Sequence, residues 1–356
     1  MSAVAAIDVC ALLMVAEMTQ LSICMPSNRP WARSRNAIES ALAYAERTGA
    51  RLIVSDNSRD PEKRAQLQNL SPHLHYHYSP SEDASGNWME VLSLVDTPFL
   101  LPMGDDDELH WVDDMTPLDL ARLPADVVGV RPQTQIWTAD AGVLRTEVFS
   151  IEAASPAERL LEFTRKVMSN NSIYYSIYRT EAFIPLFRLF VTAHPTNGGY
   201  CDWSLSMSLF AAGRVLHDPS FIYRYDLGGW DKEETILQSK RSLYERAGLP
   251  ADADKFVSLL NFLDVHIFTL RRSLSLAAAD RNEVLLTNGS IAMSAFLRDV
   301  RERPGDYDEV VCYLAELIEA ERDIQSIFQL AVLLADCVKP GLKDGYVRFF
   351  QSAQAA

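Results

Sequence analysis

Phe99-Leu100-Leu101-Pro102-Met103-Gly104-Asp105-Asp106-Asp107 decides the reading of this chain. A short apolar run, Phe99 to Leu101, reads as a buried strand and passes straight into three consecutive carboxylates. Like charges crowded at a strand end repel one another, so a fold keeps them there against a penalty. A divalent cation with oxygen-only preferences removes that penalty, and Mg²⁺ or Mn²⁺ commonly bridges such carboxylates to substrate phosphates. A solvated acidic turn is the plainer alternative, and the buried strand before it argues against that.

Similar junctions occur upstream. Leu21 to Met25 is an apolar run closed by Pro26-Ser27-Asn28-Arg29-Pro30, a strand followed by a loop. Ile38, Leu42 and Ala45 mark a helix over 33–47, with Gly49 as its stop. Arg51 to Ser55 reads as a second strand ending in Asp56-Asn57-Ser58, followed by a helix near 61–70. A short strand is expected at His75–Tyr78 and a helix over 87–95. Strands alternating with helices imply a parallel sheet, and open sheets of that kind bind ligands beyond the carboxyl ends of their strands. Asp56 stands on that rim, where a carboxylate can accept from a base N–H or a ribose hydroxyl.

Beyond Leu109 the pattern changes. Val127–Val130, Gln135–Trp137, Arg214–His217 and Phe221–Arg224 read as short strands, and 157–168 and 204–212 as helices. Asp202, with Trp203, opens the second of these after Gly198-Gly199. An Asp there caps a helix or serves as a general base, and spacing alone leaves the two even. From 232 onward the chain is helical in character. Phe256, Leu259, Leu260, Leu263, Ile267 and Leu270 form one apolar stripe, and Ile324, Ile327, Phe328 and Ala331 another. His73, His75 and His77 share one strand face and are expected to be solvent-facing. Tyr174, Tyr175 and Tyr178 read as part-buried residues that could instead line a sugar pocket.

The 356 residues carry 33 Lys+Arg against 48 Asp+Glu, a formal charge of −15. That disfavours general nucleic-acid binding, which needs positive surface. Five cysteines without a C-x-x-C pair support neither a disulfide framework nor a structural zinc site. Within the first twenty residues, Ala3 to Ala16 is mostly apolar but interrupted by Asp8, with no preceding Lys or Arg. They fail the tests for a signal peptide and a membrane span, leaving a short helix or a natural start at Met18. The expectation is a cytoplasmic protein, with a peripheral membrane position left open.

Four of these segments, in this order, resemble the GT-A-fold glycosyltransferases, in particular family 2. Leu21 to Pro30 is similar to the family's first strand and loop. Ile53 to Asp60 resembles its nucleoside-holding segment. Phe99 to Asp107 resembles the strand ending in the DXD motif, with Asn87 on the helix before it. Gly199 to Trp203, then Gly213, is similar to its Glu-Asp-Trp helix, with Cys201 in place of the Glu.

The resemblance implies an α/β GT-A domain, Rossmann-like with a mostly parallel sheet, over 20–231. A helical C-terminal domain over 232–356 follows. It implies substrate contacts from Pro26, Asn28, Arg29, Asp56, Asn57, Asn87, Asp105, Asp106 and Trp203. Mn²⁺ or Mg²⁺ would sit on Asp105 and Asp107, with the register Asp106–Asp107 open, and Asp202 would be the base of an inverting transfer. His217 and the segment Tyr225–Trp230 are candidates for a further ligand. A nucleotide sugar, with a UDP-sugar expected first, is the implied donor, and a glycan, lipid-linked or protein hydroxyl the acceptor. A homo-oligomer through the C-terminal helices is compatible with this reading. Two alternatives remain: a sugar nucleotidyltransferase, disfavoured because the Pro26–Pro30 loop lacks glycines, and a catalytically silent glycan- or protein-binding module.

Overall fold

A computed structural model describes residues 19–167, 170–230 and 233–355. The N-terminal helix or late start expected within 1–18 lies outside the described residues. Strand β1 (Leu21–Ser27) is buried nearly throughout and leads through its loop into α1 (Trp31–Thr48). Gly49 ends that helix at φ 74°, a left-handed position that a side chain would strain. Then follow β2 (Arg51–Asp56), α2 (Pro61–Leu67), β3 (Leu74–Tyr78), α3 (Ala84–Ser93) and β4 (Phe99–Pro102). These seven elements match the expected alternation.

The middle of the chain adds β5 (Glu108–Trp111), β6 (Val127–Thr138), β7 (Gly142–Glu147) and α4 (Pro156–Lys166). Next come β8 (Ile177–Arg179), α5 (Thr180–Ala193), α6 (Asp202–Ala212) and β9 (Arg214–Asp226). The four short strands expected here are two long ones. β6 and β9 pair in parallel, with register shifts at Val127/Gly129 and Pro132/Gln133. Bulges of that kind break the alternation by which a sequence reveals a strand.

The nine strands of the described residues form one sheet in the order β3-β2-β1-β4-β8-β6-β9-β5, with β7 on β6. The expected mostly parallel sheet is mixed. The β3-β2-β1-β4 half is parallel throughout. Among the described strands the other half has one parallel pairing, β6 with β9, and four antiparallel ones counting the β4–β8 junction. The three-residue β8 runs antiparallel to both β4 and β6.

One sheet face packs on α1 through Ile23, Met25, Ile38, Ala41 and Leu42. The opposite face, through Cys24, Ile53 and Leu100, packs on α3, α5 and α6. The chain ends in α7 (Glu233–Arg246), α8 (Val257–Leu270), α9 (Ala278–Asn288), α10 (Ser294–Glu302), α11 (Glu309–Ala320), α12 (Ile324–Val338) and α13 (Leu342–Ala355). The stripe expected over 256–270 is the α8 face. It joins the core holding Leu205, Leu209 and Phe210 of α6, so the helical region and the sheet region share one apolar interior. No helix among the described residues is long and apolar enough to cross a membrane.

Candidate functional site

Register brings the predicted carboxylates to one rim. Ser27 at the end of β1 pairs with Asp56 at the end of β2, and Cys24 pairs with Pro102 at the end of β4. Three residues beyond Pro102, Asp105 meets Ser27, whose hydroxyl donates to it at 2.6 Å. This rim lies where the neighbours of β1 go to opposite sides, β2 on one and β4 on the other. Open α/β sheets place ligands at such a switch point.

The three acids differ in what they face. Asp105 is buried and accepts from Ser27, from the backbone N–H groups of Asn28 (3.2 Å) and Arg29 (3.1 Å), and from the Arg29 guanidinium. Its oxygens are directed to the β1 loop. Asp106 is part-exposed and takes the other arm of Arg29 at 2.6 Å. Asp107 is buried and accepts the Tyr223 hydroxyl at 2.6 Å and the Asp226 N–H at 2.8 Å. Burial, followed by the charge of Asp106, pushes the Asp107 carboxyl up to about 8, against those two donors.

Gly104 explains how two of these carboxylates approach each other. A Cβ at that position would stand 2.8 Å from Asp106 Oδ1 and 2.8 Å from Asp107 Oδ2. Only a glycine leaves that cradle open. The donor set fits a hard cation on Asp106 and Asp107, since Mg²⁺ and Mn²⁺ take one or two carboxylates beside substrate phosphates.

Asp56 is fully enclosed. Its carboxylate accepts from Tyr76 (2.9 Å) and the Ser58 N–H (3.0 Å) and lies 3.2 Å from Lys63 Nζ. Lys63 is itself buried and also donates to the Ser27 hydroxyl and, at 2.9 Å, to the Arg29 carbonyl. Burial pulls the Lys63 ammonium down, while Asp56 and Asp105 hold it up. Asp56, Lys63, Ser27, Asp105, Arg29 and Asp106 thus form a chain of alternating charge under the rim. Asn87 is buried behind it, accepting from the Ser55 hydroxyl at 2.7 Å and donating to the Ser55 carbonyl and Asn57 Oδ1. Pro26 lies within β1 beside Ser55.

Asp202 is the first residue of α6, and the capping position before it, Cys201, makes no side-chain capping bond. Burial pushes the Asp202 carboxyl up to about 7; Asn171 and the Trp203 N–H oppose this. Its charge is felt by Tyr174, Tyr175 and Tyr225, and that of Asp107 by Tyr175 and Tyr225 as well. Tyr175 stacks on Tyr223 at 5.4 Å and lies 5.6 Å from Tyr225. Asp107 and Asp202 therefore lie within electrostatic reach of the same two tyrosines, Tyr175 and Tyr225. Tyr174 and Tyr178 are buried, and of the three expected tyrosines Tyr175 is the part-exposed one. Trp203 packs on Phe163 at 5.4 Å.

Gly198-Gly199 reflects close packing against α7 and Tyr200. A Cβ at Gly198 would run into the Tyr200 ring and meet Ala247, just past α7, at 2.9 Å, and one at Gly199 would meet Leu243 of α7 at 2.9 Å. The Tyr225–Trp230 segment reaches the rim through Asp226, whereas His217 sits against the Arg131 carbonyl. His75 is exposed, and His73 and His77 have separate partners, Ala50 and Glu90. Asn170 is buried and donates to Glu147 at 2.7 Å. Lys63, Tyr76 and Tyr223 carry no signal in the sequence, whereas Asp226 falls within the expected Tyr225–Trp230 segment.

No family model matches this sequence, and no curated relative matches it. Among solved structures it resembles S. aureus TarS residues 1–349, with a TM-score of 0.46 and 14% identity, over 94% of this chain and 91% of that one. The complex of the same fragment with UDP-GlcNAc gives 0.46 and 16% over the same shares. A longer TarS structure gives 0.44 and 14%, over 94% of this chain and 55% of that one. Likeness at this level fixes neither the ligand nor the reaction of this chain.

Proposed function

We propose that this chain is a nucleotide-sugar-dependent glycosyltransferase of GT-A type, with 20–231 as its catalytic part and 232–356 as a helical domain docked on it. One observation carries the reading: two dissimilar carboxylate sites, one of them at the sheet's switch point, act on the same tyrosines, Tyr175 and Tyr225. Asp106 and Asp107 would hold Mn²⁺ or Mg²⁺, with Gly104 keeping them together. Bound there, the cation would neutralise charge developing on the leaving diphosphate. Arg29, at the same rim, adds a guanidinium that can turn from Asp106 to a phosphate oxygen. Tyr175 and Tyr225 offer flat, partly polar surfaces to a sugar. Asp202 removes the proton of the acceptor hydroxyl as that oxygen attacks the anomeric carbon, and configuration inverts. A carboxyl near 7 is a stronger base than an ordinary one and is still half ionised at neutral pH.

The enclosed Asp56 favours a structural share in this site. Its oxygens hold Lys63 and Tyr76, so the nucleoside would meet the loop that Asp56 fixes, with Asn57 at its edge. The test is release of nucleoside diphosphate from UDP-, GDP- and dTDP-sugars, with Mn²⁺ and with EDTA, followed by NMR of the anomeric centre. Cation-dependent release abolished by Asp202→Asn supports the reading. Release from no donor, or a product retaining the donor's configuration, would sink it.

A further inference from the structure

Directly behind Asp202 lies a buried polar cluster that the transfer reaction does not itself use. His194 follows α5, Cys201 precedes Asp202, Asp264 comes from α8 and Tyr346 from α13. His194 Nε2 lies 2.9 Å from Asp264 Oδ1, and the Tyr346 hydroxyl donates to that same oxygen at 2.9 Å. The Cys201 sulfur lies 3.7 Å from His194 Nε2, and the Ser204 hydroxyl lies 3.4 Å from Asp264 Oδ2 while donating to the Cys201 carbonyl at 2.8 Å. All of His194, Cys201, Ser204, Asp264 and Tyr346 are buried.

His194, Cys201 and Asp264 bring three ligand-type atoms within 4.8 Å of one another, which suggests a metal site. The ring's other nitrogen excludes it. Nδ1 accepts from the backbone N–H groups of Asn197 (3.1 Å) and Thr196 (3.3 Å). The ring hydrogen therefore sits on Nε2 and is donated to Asp264. A metal-binding histidine has the reverse arrangement, with a lone pair toward the metal and its other N–H donated outward. The Cys201 thiol, raised by burial and by the charge of Asp264, stays protonated rather than becoming a thiolate ligand.

The cluster instead ties three elements to the turn that carries Asp202. Asp264 collects the imidazole and the phenol and stands beside the Ser204 hydroxyl, so it clamps the first turn of α6 and the chain just before it. We propose that Asp264 is a positioning residue, through which helices α8 and α13 hold Asp202 in place. This rests on the reading of Asp202 as the base. It makes the helical region a supporting layer of the active site as well as a cover for its apolar back.

The decisive comparison is Asp264→Asn, Tyr346→Phe and Asp202→Asn, singly and combined, in the full chain. Donor turnover would be read as kcat and KM with UDP-GlcNAc, UDP-Glc, GDP-Man and dTDP-Glc in Mn²⁺. Asp264→Asn is expected to lower kcat on the order of 10- to 100-fold with donor KM nearly unchanged, as small misplacement of a reacting group does. Tyr346→Phe, which keeps the ring and removes one donor, should act in the same sense but more weakly. Neither should lower kcat further once Asp202 is Asn. Losses that multiply with Asp202→Asn, or a donor KM that rises in step with lost stability, would overturn the proposal.

A second readout needs no turnover. Carbon-13 carboxyl NMR can follow Asp202, identified by its missing signal in Asp202→Asn. Tyr174 and Tyr175 before β8, Tyr225 on β9, Tyr244 on α7, Cys201 and Asn171 face it, and none of them is changed. Its midpoint near 7 should fall toward that of an open carboxyl when Asp264→Asn loosens the turn and admits water. An unmoved midpoint counts against positioning. Full turnover by Asp202→Asn would instead remove the base assignment, and the NMR midpoint would still decide whether Asp264 holds residue 202.

Discussion

The rim at Asp105–Asp107 and the turn at Asp202 hold the same residue type in opposite settings. At the rim, carboxylates alternate with cations: Lys63 beside Asp56, Arg29 across Asp105 and Asp106. At the turn, no Lys or Arg is among the groups that shift Asp202, and tyrosines surround it. Burial raises the carboxyls at both sites, but charged neighbours act on them only at the rim. The first suits a ligand that brings phosphates and a metal. The second suits a group that must gain and lose a proton near neutral pH.

The largest effect should come from removing the second setting. Asp202→Asn keeps the side chain's size but cannot take a proton, so turnover should fall about 10²- to 10⁴-fold. Donor affinity measured by calorimetry should hold, because the phosphate-facing groups are untouched. In the unaltered enzyme, kcat should climb with pH through about 7 and then level, since the base acts only when ionised. A flat profile across that range would separate Asp202 from the rate.

The rim should break differently. Lys63→Met leaves Asp56 buried without its cation, and losing one partner of a buried pair destabilises by about 3–5 kcal/mol. Chemical denaturation should show that loss. A change below about 1 kcal/mol would mean that the alternating chain is not holding the rim together.

Gly104→Ala sharpens the contrast within the rim. The fold should persist, because flexible carboxylate ends can move aside. Mn²⁺ affinity, measured in the presence of UDP, should fall on the order of 10- to 100-fold, as when a ligand's support is disturbed. Unchanged affinity would return the ligand role to Asp105 and Asp107.

The smallest effect concerns stability and its sign. The folded carboxyl of Asp202 is raised from the ordinary range to about 7. Its contribution is fully present at pH below 4 and is lost as pH rises through 7. Asp202→Asn escapes that loss, so the variant should be the more stable protein at pH 8, by roughly 1–3 kcal/mol. The gap should close near pH 4. A variant less stable than the parent at pH 8 would show the carboxylate to be well solvated.

Much of the rim was legible because its logic is local. Apolar runs such as Leu21–Met25 and Phe99–Leu101 end in polar loops, and that junction marks a strand entering a ligand-binding edge. Lys63 was not legible. It stands between Glu62 and Arg64 on a short helix, and nothing in the spacing says which of three charges turns inward. Tyr223 reaches Asp107 from more than a hundred residues away, through a pairing of β5 with β9 that no local pattern encodes; of its neighbours only the Tyr225–Trp230 segment, which holds Asp226, stood out. β8 is too short to show a period, and α5, with Pro185 inside it, gave no clear helical signal. At Asp202 the sequence offered the residue but not its setting. Whether an Asp at a helix start caps or titrates depends on the tyrosines folded over it.

The Asp264–Tyr346 clamp also sets a clock on synthesis. The strands and loops of the acidic rim are encoded early, yet the turn at Asp202 gains its last partner only when residue 346 is made. At about 5–20 residues per second that gap lasts roughly 7–30 s. In its first part, until α8 is made, the apolar flank of α6 that α8 covers faces the ribosome's surroundings. A nascent chain in that interval has most of its donor-side framework in place and a base not yet fixed, and it presents a hydrophobic surface that a chaperone would recognise.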